Sequence, residues 1–203
     1  MSSNSTVVAD LAAHGWTVTQ DFLPRVAVAA LAEEARGLQA ACRFRQAGVG
    51  RGSGHMVRPE VRGDQIDWLD EHSLTPAQAR YWAEIEALRR ALNQELFLGL
   101  ESFEAHYAVY PPGASYQRHL DCFASSNTRA ISCSLYLNAD WHDGLGGQLR
   151  LHLPDRLVDV VPCAGTFVLF RSEAIPHEVL PASQHRFSLT GWFRRRALRP
   201  AWP

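Results

Sequence analysis

Phe103-Glu104-Ala105-His106-Tyr107-Ala108-Val109-Tyr110-Pro111-Pro112-Gly113-Ala114-Ser115-Tyr116-Gln117-Arg118-His119-Leu120-Asp121 is the stretch on which the fold turns. It holds a run of aromatic and small apolar residues, a Pro-Pro-Gly stop, and a second short run: a strand, a turn and another strand. The pattern continues through candidate strands at 103–110, 116–121, 129–138, 148–153, 157–161, 166–171, 177–181 and 186–194. Asp143-Gly144-Leu145-Gly146-Gly147 and Pro162-Cys163-Ala164-Gly165 punctuate them. Eight short strands with turn signals between them predict a sandwich or barrel rather than alternating β and α units.

Upstream the periodicity is helical. Pro24 stands where a first turn tolerates it, and Val28, Leu31, Ala35 and Leu38 recur at helical spacing to about Cys42. Thr75-Pro76 supplies a cap and first turn, followed by the stripe Trp82, Ile85, Leu88, Leu92 and Leu96 up to Gly99. Between these helices, Gly48 to Gly54 has four glycines in seven residues, too costly in entropy for regular structure, and reads as a mobile loop. The expected fold class is α+β, mainly β: a double-stranded β-helix (jelly roll) of about eight strands backed by N-terminal helices. With 203 residues the chain has the size of one domain over 1–203, its helical part about 1–100 and its jelly-roll core about 103–195.

Composition narrows the function. A formal net charge of -1 gives no excess of cations to attract nucleic acid or an anionic membrane. All 20 basic residues are Arg, so a Lys Schiff base and the Lys of a phosphate loop are excluded. The run Phe193-Arg194-Arg195-Arg196, with Arg199, reads as a solvated basic end. Cys42, Cys122, Cys133 and Cys163 contain no C-x-x-C pair, so neither a zinc ribbon nor a redox motif is written here. Met1 to Asp10 lacks the pattern of a signal peptide, and no apolar stretch approaches membrane-spanning length. The expected compartment is the reducing cytoplasm.

His119-Leu120-Asp121 places an imidazole and a carboxylate two residues apart, and positions i and i+2 of a strand share a face. Alone the signal is weak, because in a chain with nine His chance yields roughly 0.4 such pairs. Two His and one carboxylate would leave open positions on a ferrous ion. His177, in Ile175-Pro176-His177-Glu178-Val179, is the best third ligand. Among its rivals, His185 sits in a polar turn and His152 among apolar strand residues, while position alone does not discriminate His106 and His142. Arg186 opens the last strand with Ser188, Thr190 and Trp192 on the same side, and its planar guanidinium suits a dicarboxylate. On 129–138, Ile131, Cys133, Leu135 and Leu137 make an apolar face. Ser132, Ser134, Tyr136 and Asn138 make the other, where Tyr136 either lines a cavity or faces solvent.

Tyr110-Pro111-Pro112-Gly113, Tyr116 to Asp121, Leu135 to Trp141, Gly146-Gly147-Gln148-Leu149-Arg150, Pro176-His177-Glu178-Val179, and Arg186 with Thr190 and Trp192 occur in one order. In that order they resemble the prolyl hydroxylases that act on hypoxia-inducible factor and their bacterial homologues, within the iron and 2-oxoglutarate dioxygenases. Upstream, Val61 to Trp68 resembles the segment after that family's mobile loop, so the similarity spans about 61–196. The resemblance implies Fe(II) ligation by His119, Asp121 and His177. It further implies 2-oxoglutarate contacts from Arg186, Tyr136, Tyr110, Thr190 and Leu149, and a substrate groove near Arg62, Asp64, Arg129 and Trp192. It implies dioxygen as co-reactant, ascorbate as reductant, succinate and carbon dioxide as products, and a role in oxygen sensing.

The resulting expectation is a peptidyl-proline 4-hydroxylase. Its partner would be a protein with a target proline, with elongation factor Tu the first candidate because bacterial relatives act on it. A free amino acid or small metabolite is the alternative substrate. The glycine-rich loop favours a polypeptide, since a small substrate calls for a closed pocket. A zinc hydrolase could use the same three ligands, but it has no need of Arg186, and no H-E-x-x-H base is present. A non-catalytic jelly-roll binding module is the third reading.

Overall fold

The computed structural model of the protein describes residues 3–49, 56–122 and 128–196. Along the chain run α1 (Ser3–His14), β1 (Trp16–Thr19), α2 (Arg25–Ala40), β2 (Arg45–Gln46), β3 (Gln65–Trp68) and α3 (Pro76–Leu96). Then come β4 (Leu100–Tyr110), β5 (Tyr116–His119), β6 (Arg129–Tyr136), β7 (Leu149–His152) and β8 (Leu157–Val160). The last are β9 (Phe167–Arg171), β10 (His177–Val179) and β11 (Arg186–Arg195). The seven-stranded sheet has the order β1-β9-β6-β11-β4-β3-β2, and the four-stranded sheet the order β5-β10-β7-β8. Two sheets with helices on one outer face form the jelly roll that the sequence announces.

Alternation along the central strands sorts the side chains. Phe187, Leu189 and Phe193 of β11, Leu135 and Cys133 of β6, and Tyr107 and Val109 of β4 face the helices, where they meet Leu31, Tyr81, Ile85 and Leu88. The alternate residues face the second sheet, where Ala108, Tyr136, Val168 and Phe170 pack with Leu149, Leu151 and Val179. α3 starts where its cap demands, with the Thr75 hydroxyl accepting from the Gln78 amide at 3.2 Å and the Gln78 side chain returning to the Thr75 amide at 3.3 Å. Pro24 caps α2 without a side-chain bond.

The structure differs from the sequence reading in three places. α1 and the short strands β1, β2 and β3 were not expected, so the N-terminal part is not purely helical and the larger sheet gains three strands. These segments are too short for periodicity to declare itself, and β1 is fixed by pairing with β9, from Trp16↔Phe170 to Thr19↔Phe167. Second, β5 ends at His119, so Asp121 lies in the following bend. Third, the basic end is only partly solvated: Arg194 pairs with Glu104 at 3.1 Å and the Arg195 Nε donates to the Leu98 carbonyl at 3.1 Å, while Arg196 stays exposed. From Gly50 onward the expected glycine-rich loop lies outside the described residues, as does Arg199. Among the described residues no helix is long and apolar enough to cross a membrane.

Gly191 marks the tightest approach between β11 and β4. A Cβ there would collide with the Phe103 ring and lie 2.8 Å from the Glu104 carbonyl oxygen. Gly191→Ala is expected to cost about 1–3 kcal/mol by overpacking. Calorimetric unfolding should show it as a fall in Tm of roughly 2–4 °C per kcal/mol for a chain of this size.

Candidate metal and cosubstrate site

Between the sheets a pocket is lined by the inward residues of β4, β6 and β11 on one side and by β5, β7 and β10 on the other. Antiparallel pairing of β10 with β5 sets His177 opposite His119, with ring centres 4.3 Å apart. Asp121, just past the end of β5, completes a cluster whose donor atoms all lie within 4.8 Å of one another. The Nε2 of His119 is 3.5 Å from Asp121 Oδ1, and the Nε2 of His177 is 3.5 Å from Oδ2. Each Nδ1 faces a backbone carbonyl, that of Gln117 at 2.8 Å for His119 and that of Ile175 at 3.1 Å for His177. A carbonyl can only accept, so each Nδ1 carries a proton and each Nε2 is the ring atom turned toward Asp121.

The surroundings hold these groups in place. Tyr116 stacks flat on His119 at 3.6 Å and 16°, and Phe170 meets His177 edge-on at 4.6 Å. The Ser132 hydroxyl donates to Asp121 Oδ2 at 2.6 Å and lies 2.8 Å from the Ser172 hydroxyl. With its own proton spent on Asp121, Ser132 must accept from Ser172. Burial by itself would raise the Asp121 carboxyl, but His177, His119 and Ser132 outweigh it and hold the group well below the usual carboxylate range. Burial pushes the His177 imidazole down to about 4 against the pull of Asp121. Near neutral pH the cluster therefore offers a carboxylate and an unprotonated imidazole, the states a divalent metal requires.

Arg186 lies at the other end of the pocket, 2% exposed. Its Nε donates to the Gly147 carbonyl at 2.7 Å, and its guanidinium carbon stands 4.9 Å from the Tyr136 ring centre and 5.1 Å from that of Tyr110. Gly147 has φ +74°, and a Cβ there would sit 3.1 Å from the Arg186 side chain. Among the described residues no carboxylate is within ion-pair reach of Arg186, and the buried Tyr136 hydroxyl has no hydrogen-bond partner. Burial, opposed by Arg186, pushes that phenol up to about 12, so it remains a donor. A buried cation lacking a counter-ion, beside a phenol lacking an acceptor, fits a carboxylate from outside the chain. Thr190 and Leu149 line the wall between this end and the cluster, with the Thr190 hydroxyl 2.8 Å from that of Ser134.

The residues assigned to the substrate groove divide. Arg62 and Asp64 form a two-pronged pair at 2.7 and 3.0 Å, and the guanidinium also covers Tyr116 at 5.0 Å. This pair therefore braces the ring that stacks on His119. Trp192 lines the pocket. Arg129 lies on the Trp192 ring at 3.6 Å and is tied to Glu104 at 2.8 Å. Of the rival histidines, His152 bonds Glu178 at 3.0 Å, while His142 and His185 are exposed. His106 is buried in the pocket wall. Sequence reasoning gave no role to Tyr116 or Ser172, placed Ser132 only on the face shared with Tyr136, and left His106 undecided. The two-residue period from Tyr110 through Ala108 would have found His106, whereas nothing local marks Ser172.

Removing the Ser132 hydroxyl leaves Asp121 Oδ2 without its donor and frees the carboxylate to turn. Ser132→Ala is expected to weaken divalent metal binding by about 10-fold or more, measured by calorimetric titration with Mn(II), while Ser132→Thr retains most of it.

Comparison with known proteins agrees with this arrangement. The family profile of the 2OG-Fe(II) oxygenase superfamily matches residues 105–194, the span that holds the three-donor cluster and Arg186. A crystal structure of a Pseudomonas putida prolyl-4-hydroxylase superposes with TM-score 0.87 at 49% identity, covering 96% of this chain and 100% of that one. A prolyl hydroxylase from Trichoplax adhaerens, solved with a hypoxia-inducible factor oxygen degradation domain peptide, superposes with TM-score 0.85 at 25% identity, covering 94% and 88%. Egl nine homolog 1 of Mus musculus is 27% identical over 188 residues, which is 89% of this chain but 46% of that relative, so the chain spans less than half its length. Near-complete coverage of the bacterial enzyme at 49% identity, with the profile centred on the site, leaves one classification: the chain belongs to the 2OG-Fe(II) oxygenase superfamily.

Proposed function

We propose that the protein binds Fe(II) through His119, Asp121 and His177, anchors 2-oxoglutarate on Arg186, and hydroxylates a prolyl residue of another protein. The observation that carries this reading is the unpaired, buried Arg186 guanidinium beside the unpartnered Tyr136 hydroxyl, facing the same pocket as the donor cluster. A hydrolytic metal site has no use for that anion-binding end.

When bound, the iron and 2-oxoglutarate supply the oxidation that inserts one oxygen atom of dioxygen into a C–H bond and releases succinate and carbon dioxide, with ascorbate as reductant. The chain's residues supply position and protection. Arg186 and Tyr136 hold the distal carboxylate, Tyr110 and Leu149 close the walls, and Thr190 offers a hydroxyl along the length of the cosubstrate. The two Nδ1 to carbonyl bonds and the Ser132 hydroxyl keep three donors converged, and Tyr116 with Phe170 keeps water from the histidine faces. Arg62, Asp64, Arg129 and Trp192 form the rim that a substrate meets.

The substrate we assign is a protein, and elongation factor Tu is the first to be tested. Likeness to a prolyl hydroxylase solved with a peptide supports a polypeptide over a free amino acid.

The test supplies Fe(II), ascorbate and 2-oxoglutarate, with and without elongation factor Tu, and measures succinate and the gain of one oxygen on a proline. Wild type should form succinate and Asp121→Ala should not; equal, background succinate from the two overturns the reading. Arg186→Ala should raise the KM for 2-oxoglutarate by at least an order of magnitude, about 1.4 kcal/mol or more, while Mn(II) affinity holds. Oxygen gained by free proline but not by protein would move the substrate to a small metabolite.

A further inference from the structure

Two polar atoms in the pocket wall, the His106 Nε2 and the Trp192 Nε1, are buried and have no hydrogen-bond partner among the described residues. Their side chains come from adjacent strands, β4 and β11, are 1% and 4% exposed, and line the pocket that holds the donor cluster. Their ring centres are 5.4 Å apart at 55°. Trp68 closes the outer side of His106 edge-on at 4.8 Å, and Arg129 covers Trp192.

The hydrogen-bonding role of each atom is fixed. The Nδ1 of His106 lies 3.2 Å from the Tyr107 carbonyl, which can only accept, so Nδ1 carries the proton and Nε2 presents a lone pair. Burial, with Arg62 nearby, pushes this imidazole down to about 4 and keeps it neutral. The indole N–H of Trp192 can only donate. The wall thus carries one acceptor and one donor, and native structures rarely leave such groups unmade.

Their place along the strands sets them at the opposite end of the pocket from Arg186. Trp192 is six residues beyond Arg186 on β11, and His106 four residues before Tyr110 on β4. At about 3.3 Å per residue these are roughly 20 and 13 Å. A five-carbon diacid held at Arg186 spans only about 5 Å over its carbon–carbon bonds. Trp192 also pairs in register with Ser132, which bonds Asp121, and His106 pairs with Thr190, so the donor and acceptor stand on the metal cluster's side of the pocket, at and beyond the end of a cosubstrate anchored on Arg186.

We infer that His106 Nε2 and Trp192 Nε1 form a subsite for a hydroxyl oxygen, which donates its proton to His106 and accepts from Trp192. A carboxylate has no proton for His106, an ammonium has no lone pair for Trp192, and an aliphatic group satisfies neither. Two oxygens have this chemistry: a water molecule, and the hydroxyl of a hydroxylated product. The product arm rests on the hydroxylase reading above; the water arm does not.

The test follows the His106 Nε2 and Trp192 indole N–H resonances by NMR in protein labelled with nitrogen-15, loaded with diamagnetic Zn(II) and 2-oxoglutarate. His106→Phe and Trp192→Phe assign the signals. Both resonances should report hydrogen bonding in the free protein, and the indole signal should shift on His106→Phe even though Trp192 is intact. A proline peptide of elongation factor Tu and its 4-hydroxyprolyl counterpart are then titrated. If the hydroxylated peptide alone moves both signals to new hydrogen-bonded positions, and His106→Phe cancels its affinity advantage over the prolyl peptide, the product hydroxyl occupies the subsite. If neither peptide moves them, water is the occupant. An unbonded Nε2 and an unbonded indole N–H in the free protein and with every peptide overturn the inference. Because no turnover is read, absence of succinate in the earlier assay would sink the hydroxylase reading without touching this result.

Discussion

The pleat of β11 is the constraint on which the site depends. Arg186, Ser188, Thr190 and Trp192 face the pocket, while Phe187, Leu189, Gly191 and Phe193 face the helices. A register slip of one residue would exchange the two sets, burying a guanidinium among Leu31, Ile85 and Leu88 and lining the pocket with phenylalanine. Pairing on both edges prevents it, with β4 along ten positions and β6 along seven. Those pairings rest on the apolar face, whose side chains have no comparable burial in any other register. The hydrophobic layer against the helices therefore fixes the chemistry on the opposite face, although none of its β11 residues lines the pocket.

The second sheet contributes little area and two of the three candidate metal donors, His119 and His177. β5 and β10 are four and three residues long, too short to position two histidines by ladder bonds alone. Each imidazole is accordingly held by a carbonyl two residues before it, and by an aromatic ring on its face or edge. Asp121, outside any strand, is held from the first sheet through Ser132 and Ser172. The site thus joins the two sheets by a hydrogen-bonded chain, and the Ser132 hydroxyl stabilises the buried Asp121 carboxylate.

Long-period features of the fold were legible in the sequence, and short ones were not. The stripe from Ile85 to Leu92 and the alternation along 129–138 and 186–194 each repeat often enough to stand above composition. β1 and β3, four residues each, do not; they exist because β9 and β4 offer edges to pair with. For the site, His119, Asp121, His177, Arg186 and Tyr136 were named from spacing together with family motifs, and the structure brings them to one pocket. The supporting residues escaped because their signal is spatial. Ser172 meets Ser132 across forty positions of sequence, and no local pattern encodes that meeting. Arg194 departs from the expected solvated end for the same reason, since its partner is Glu104, ninety residues earlier.

Along the pocket, polar character changes in a sequence that suits three different occupants. The Arg186 end is cationic and offers hydrogen bonds, the middle holds one carboxylate with two imidazoles, that of His177 kept neutral by burial, and the far end carries an uncharged acceptor and an uncharged donor. Placing any of these groups elsewhere would be costly, because a buried charge needs a partner of opposite sign at short range. Arg62 illustrates the rule: lying near the neutral end, it is neutralised by Asp64 within the chain and spends its guanidinium on Tyr116. Among the described residues, Arg186 lacks such a partner. A fold that satisfies one buried arginine internally and leaves the other open contrasts a structural cation with a candidate binding one. That contrast, more than the presence of arginine in the pocket, marks where an anion belongs.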